Sequence, residues 1–294
     1  MLSLLKTTVR DFLDDDCPTN AAALAYYAVF SLPAVLFLLI FVVGLVIDPD
    51  TVQERIVGEF GGLFGEGGGQ QVESMVRSAQ ERTTGSGIKV ALSIAMLIFG
   101  ASGAFMQLQK ALNRAWEVKP DPELGGIRNF IMKRVLSFGI LLTLAFLMLV
   151  SLAVSALLTA MGDFIGARAG GVPKILLQAV QVGISLAVIT ALFAVIFKVL
   201  PDAEIRWKTV WIGAVVTAVL FTIGKFVIGI YLGKSDPGNA FGAAGALAVI
   251  MLWIYYSAMI VLLGAEFTQA WSRRHGAGIR PEKGAVRVAD TAAD

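Results

Sequence analysis

Lys225 is the residue best placed to do chemistry in this chain, because it sets a positive charge inside a long apolar run. Ionisable groups in such runs are costly and tend to be functional. Entered near Val210, the run carries Lys225 about 22 Å along a helix rising about 1.5 Å per residue. Two readings stand: a long stem that snorkels its ammonium to the nearer surface, or a cation facing a wet cavity. Other polar side chains gather at a similar depth. Ser151, Ser155 and Thr159 recur at i, i+4 and i+8, and Gln178, Gln181 and Ser185 at i, i+3 and i+7, each set on one helix face. Lys89 and Ser93 open a further run. These groups are expected either to line an outer vestibule that takes an anionic head group, or only to glue helices at about 0.6 kcal/mol per hydrogen bond.

Glu266 shares a helix face with Leu252, Tyr255, Met259 and Leu262, near the end of the last apolar run. Lys198 and Arg134 end neighbouring runs at about the same level. An ion pair that locks the inner helix ends is the expected role, and a gate that breaks and reforms is the sharper alternative. Pro33 removes a backbone donor inside the first run and should kink it, as a packing bend or a hinge.

Other chemistry lacks its parts. Hydrolysis of a nucleic acid needs a general acid and base, or clustered carboxylates holding metal. His275, the one histidine, stands beside Arg273 and Arg274 in an expected solvated tail. Asp14, Asp15 and Asp16 are adjacent and splay apart, a solvated cluster more than a metal box. Zinc-type Cys/His spacing and RNA-binding motifs are missing. The glycines from Gly61 to Gly69 lack the strand, helix and lysine of a phosphate loop. We therefore expect no enzyme, no catalytic residue, no metal, no cofactor and no nucleic-acid partner. Cys17 is the sole cysteine, so an intramolecular disulfide is impossible and a buried or interfacial thiol is expected.

The elements that must position these residues are six apolar runs, roughly 22–47, 88–108, 135–161, 175–199, 210–232 and 243–265. Each has about 20 residues or more, enough to cross a hydrocarbon core of about 30 Å as a helix. Charged residues are only 16% of the chain, well below the share of a soluble domain. The expected class is all-α, a polytopic membrane protein with six transmembrane helices and short interfacial helices. With the N-terminus inside, 16 of the 24 Lys and Arg residues fall on inside segments and 7 outside. That split places both termini in the cytoplasm. The first run follows an acidic stretch and exceeds a signal peptide's apolar core, so a retained signal anchor is expected.

Residues 1–20 read as an interfacial helix, with Leu2, Leu5, Val9, Phe12 and Leu13 at helical spacing. Thr19 or Asn20 would cap the first span, helped by Pro18. Residues 21–271 form the membrane domain. Its long outer loop, 48–87, should hold two amphipathic helices, 51–60 and 70–82, joined by a glycine linker and capping the outer face. The second span should continue as a polar helix through Asn113, Arg114 and Trp116 until Pro120 and Pro122 break it. Trp116, Trp207, Trp211 and Trp271 are expected as interface anchors. Gly213, Thr217 and Gly224 form a small-residue strip for close contact, within one protomer or between two. Residues 272–294 are expected to be a disordered cytoplasmic tail.

One resemblance covers nearly the whole chain. It is carried by Leu200-Pro201, Trp207, Gly213-Ala214, Gly224-Lys225, Tyr231, Phe241-Gly242, the run Leu252 to Ala258 and Gly264-Ala265-Glu266. Ala22 to Tyr27, Phe30-Ser31-Leu32 and Leu112 to Trp116 agree. Together these resemble the YihY/BrkB family of bacterial inner-membrane proteins. Phe241 departs from the Tyr usual there. The resemblance implies six spans, an inner-membrane location, a link to virulence and the cell envelope, and in some members the handling of envelope lipids; a ribonuclease label also circulates. The expected function is transport or translocation of an anionic envelope lipid or similar amphiphile. The alternative is a non-transporting membrane scaffold. Membrane lipids are the expected partners, with a homo-oligomer possible.

Overall fold

The computed structural model describes residues 2–64, 66–82, 87–121, 139, 174–235, 245–275, 278–282 and 284–288. Among them the order is α1 (Leu2–Asp14), α2 (Cys17–Val43), α3 (Pro49–Phe64), α4 (Glu66–Arg82), α5 (Gly87–Ala115) and β1 (Val118–Pro120). Then come α6 (Lys174–Val199), β2 (Ala203–Glu204), α7 (Trp207–Ser235), α8 (Gly245–Arg274), β3 (Arg280–Pro281) and β4 (Ala285–Arg287). The fold is mostly helical. Among the described residues four helices are long and apolar enough to cross a membrane: Cys17–Val43, Val182–Val199, Trp207–Ile228 and Leu247–Arg274. The expected second span lies within α5, whereas 135–161 lies outside the described residues apart from Gly139.

The first span starts earlier than its apolar run. Asp16 takes the left-handed conformation (φ 51°) that ends α1 and opens α2 with Pro18 in its first turn. That replaces the expected cap at Thr19 or Asn20. Asn20 serves the same junction differently, donating to the carbonyls of Asp15 and Asp16 at 3.2 Å each. α2 then runs unbroken through Pro33 to Val43. Its Tyr26, Tyr27 and Phe30 are exposed, as a lipid-facing stripe would be.

α2 packs chiefly on α5 and α8, α7 lies between α6 and α8, and α1 rests on α8. The start of α1 and the end of α8 thus share one end of the bundle, where Leu4 meets Phe267 and Ala270. At the opposite end α3 and α4 form a hairpin on the last turns of α2. Val52, Ile56, Val72 and Val76 close a core there with Leu36, Ile40 and Val43. The two amphipathic helices of the loop are therefore present, and both run on into the glycine-rich stretch. Gly69 explains part of this: a Cβ there would stand 3.3 Å from Gly61 Cα and from Val57 O, so the missing side chain lets the backbones approach.

The tail differs from expectation. β3 pairs antiparallel with β2, and β4 with β1. Strands β3 and β4 thereby pair with the short segments that follow α6 and α5, supplying partners for their backbone groups. Small charged composition concealed this, because main-chain pairing asks little of side chains. Trp116 is buried and sits edge-on to Phe197 with ring centroids 5.8 Å apart, so it is a core residue and not an interface anchor. Trp207 and Trp211 are exposed as an anchor requires.

Candidate functional site

Glu266 is the most deeply buried ionisable group among the described residues, 1% exposed. The helical repeat puts it on the face of α8 that meets the α1–α2 junction. Its partner is not Lys198. The Glu266 carboxyl hydrogen-bonds that of Asp15, a contact that requires a proton between them. Cys17 Sγ donates to Glu266 Oε1 at 3.5 Å. The thiol is buried, as expected. Lys198 instead donates to the Ile205 carbonyl at 2.7 Å, because the turn after α6 curls back over its ammonium. Arg134 lies outside the described residues.

Around this carboxyl pair stands a ring of charge. Arg114 of α5 reaches Asp16 Oδ2 at 3.0 Å and Asp15 Oδ1 at 3.9 Å. Arg273 reaches Asp11 at 3.4 Å and also pairs with Glu117. Asp14 and Asp16 stay exposed, as expected of a solvated cluster, while Asp15 is half-buried where α1, α2, α5 and α8 meet. Among the described residues no three His, Cys, Asp or Glu side chains converge as metal ligands. Proton sharing and charge-controlled docking of helix ends are the chemistry that this arrangement can perform. His275 stacks on Trp271, centroids 4.1 Å apart, at the exposed end of α8.

Burial raises the Asp15 carboxyl above its ordinary 3.8, opposed by the hydrogen bond from Glu266 and the charge of Arg114. A carboxyl raised on folding holds its proton more tightly in the folded chain. Its stabilising contribution is full below 3.8 and is lost as pH rises through the raised value. Asp15→Asn should therefore flatten the fall in melting temperature across that window. Thermal unfolding at stepped pH reads this, and a parent-like slope would refute the assignment.

A second polar constellation holds the turn after α6. Asp202 accepts from Asn113 Nδ2 at 2.7 Å and from Gln109 Nε2 at 3.1 Å, and its backbone N–H donates to Asn113 Oδ1 at 2.8 Å. Periodicity alone did not reveal this clamp. Its sequence signal was the polar continuation of α5 beyond its apolar run.

The vestibule candidates divide. Lys225 and Ser185 are exposed on α7 and α6. Gln178 and Gln181 lie on α6 in the part whose side chains are outside the description, and Ser151, Ser155, Thr159 and Phe241 lie outside the described residues. The small-residue strip is settled as a contact within the protomer. Thr268 packs on Gly213, and Thr217 on Gly264, each hydroxyl 1.9 Å from where the glycine's Cβ would be.

Residues 8–289 match the family model of the virulence factor BrkB. The chain belongs to the BrkB family. Within that family it is similar to the UPF0761 membrane protein PA0951 of Pseudomonas aeruginosa, 28% identical over 271 residues that cover 90% of this chain and 62% of that protein. It is also similar to a UPF0761 membrane protein of Azotobacter vinelandii, 28% identical over 87% of this chain and 60% of that one. This BrkB chain thus spans under two thirds of the length of these relatives. A putative ribonuclease-like protein of Bacillus subtilis, YfkH, is 24% identical over 93% of this chain and 96% of its own length. No solved structure matches. Several residues that carried the resemblance in the sequence fall on the geometry above: Glu266 in the carboxyl pair, Gly213 and Gly264 in the α7–α8 contact, Asn113 in the clamp.

Proposed function

We propose that this BrkB-family membrane protein is a transporter or translocase of the bacterial inner membrane, for an anionic envelope lipid or similar amphiphile. We place six spans in it, with both termini in the cytoplasm as the basic residues favour. It acts without catalytic residues or a cofactor and is not an enzyme. The observation that carries the reading is the carboxyl pair of buried Glu266 and half-buried Asp15, seated where α8 meets the α1–α2 junction. Burying such a pair in a membrane bundle costs stability, and a helix contact that depends on one shared proton suits a part that opens and closes. Glu266 thus serves as the gate, with Asp15 in the place expected of Lys198. Lys225 supplies an attracting charge near the other surface, and Pro33 a bend in α2.

The test reconstitutes the chain in vesicles with a fluorescent phosphatidylglycerol and follows its movement between leaflets. Glu266→Gln and Lys225→Met should each slow movement about tenfold, equivalent to about 1.4 kcal/mol in the barrier, at unchanged protein abundance. Full activity in Lys225→Met would remove its vestibule role.

A non-transporting scaffold has support of its own. Ser31, Thr190, Thr217, Thr222 and Thr268 all donate to the carbonyl four residues earlier, at 2.6 to 2.8 Å. Hydroxyls satisfied in this way need no water-filled cavity. Wild-type vesicles without lipid movement, with variants acting only through abundance, would favour this reading.

A further inference from the structure

Beside the turn between α6 and α7 lies an open cavity of about 580 Å³ whose charged lining is Lys198, Glu204, Arg206, Arg280 and Glu282. Two distant parts of the chain build it. The β2–β3 register places Arg280 opposite Glu204, and the Glu282 N–H donates to the Asp202 carbonyl at 3.1 Å. The Asn113–Asp202 clamp fixes the same turn from α5.

Among the described residues no carboxylate lies within 4.0 Å of the Arg206 or Arg280 guanidinium, nor of the Lys198 ammonium. Lys198 is held in place by the Ile205 carbonyl and stands 5.8 Å from the Trp207 ring centroid. Three cations therefore face one cavity with their charge uncompensated at contact distance. The N-terminus of α7 adds its partial positive charge on the same side. Guanidinium forks match the oxygens of phosphate, often two at a time.

Position narrows the ligand further. Val182–Val199 and Trp207–Ile228 are both long and apolar enough to cross a membrane, so the turn that joins them emerges at the level of lipid headgroups. Trp207 and Trp211, both exposed, mark that level. A cavity with free arginines there meets headgroup phosphates first.

We propose that this cavity binds a phosphate group at headgroup level. The proposal does not need the chain to move lipid, so failure of the translocation test would leave it standing. Glu204 and Glu282 weaken the hold on a bare anion and keep the site reversible.

Purified full-length chain in neutral detergent would be titrated calorimetrically with dihexanoyl phosphatidylglycerol, with inorganic phosphate, and with dihexanoylglycerol, which lacks the phosphate. The expected result is binding of a phosphate-bearing ligand, none of dihexanoylglycerol, and affinity lowered about tenfold or more when Arg206→Gln and Arg280→Gln are combined. Glu282→Gln should tighten binding, and this milder variant keeps the test open if the double variant does not fold. Binding of phosphatidylglycerol but not phosphate assigns a lipid headgroup. Binding of both, with the same response to the variants, assigns phosphate from either source. Neither ligand binding, or equal affinity in parent and variants, overturns the proposal.

Discussion

Gly264→Ala should remove most folded protein from the membrane. An added Cβ would stand 1.9 Å from Thr217 Oγ1 and 2.9 Å from Thr217 Cβ. Thr217 has no exposed surface, and its hydroxyl is tied to the Gly213 carbonyl at 2.8 Å. A β-branched side chain in a helix has few rotamers to retreat into. The clash must therefore spread α7 from α8, at a cost of about 3 kcal/mol. The reciprocal pair, Gly213 under Thr268, should respond alike, since Thr268 Oγ1 lies 1.9 Å from the Gly213 Cβ position. Combining Gly264→Ala with Thr217→Gly, which removes every crowding atom of that side chain, should recover part of the loss, because the two residues share one contact. Monodisperse yield after solubilisation and the unfolding temperature are the measurements. A stable Gly264→Ala chain would mean that the helices do not approach so closely.

Asn113→Leu should be the second most damaging change. It removes both a donor to the Asp202 carboxylate and the acceptor of the Asp202 N–H. Gln109 still reaches Oδ1 at 3.1 Å, but the half-buried charge loses its shortest hydrogen bond. The expected cost is about 2–3 kcal/mol. Since Asp202 also accepts from the Glu282 N–H, the returning segment should loosen with it. Hydrogen exchange at residues 279–287 should then rise well before the spans exchange. Asn113→Asp should be worse at neutral pH, because two carboxylates would face each other. Unchanged exchange in Asn113→Leu would show that the segment is held by β pairing alone.

How far the residues alone reached depends on which force is involved. Membrane class follows from apolar length, since every backbone polar group in hydrocarbon must be satisfied internally; the runs 22–47, 175–199, 210–232 and 243–265 reappear, with shifted ends, as α2, α6, α7 and α8. The loop hairpin was legible for a similar reason: Val52 and Ile56, and Val72 and Val76, repeat at helical spacing, and these four residues close its core. Local pattern also exposed the glycine strip on α7, but not its partner. Choosing Thr268 as that partner needs the antiparallel register of α7 against α8.

The carboxyl pair lay beyond reach for the same reason. Glu266 and Asp15 are far apart along the chain, and level within the bundle pointed to Lys198, which the turn after α6 diverts to a carbonyl. The tail was misread because strand pairing of β3 and β4 rests on main-chain groups, which composition does not report. Sequence by itself thus determined what is local or periodic: a membrane-spanning α protein with charge at set depths and glycines on one helix face. Only the tertiary structure decided which charges meet, which tryptophan is core, and that the returning segment walls a basic cavity, because those outcomes depend on helix register and on backbone pairing between distant residues.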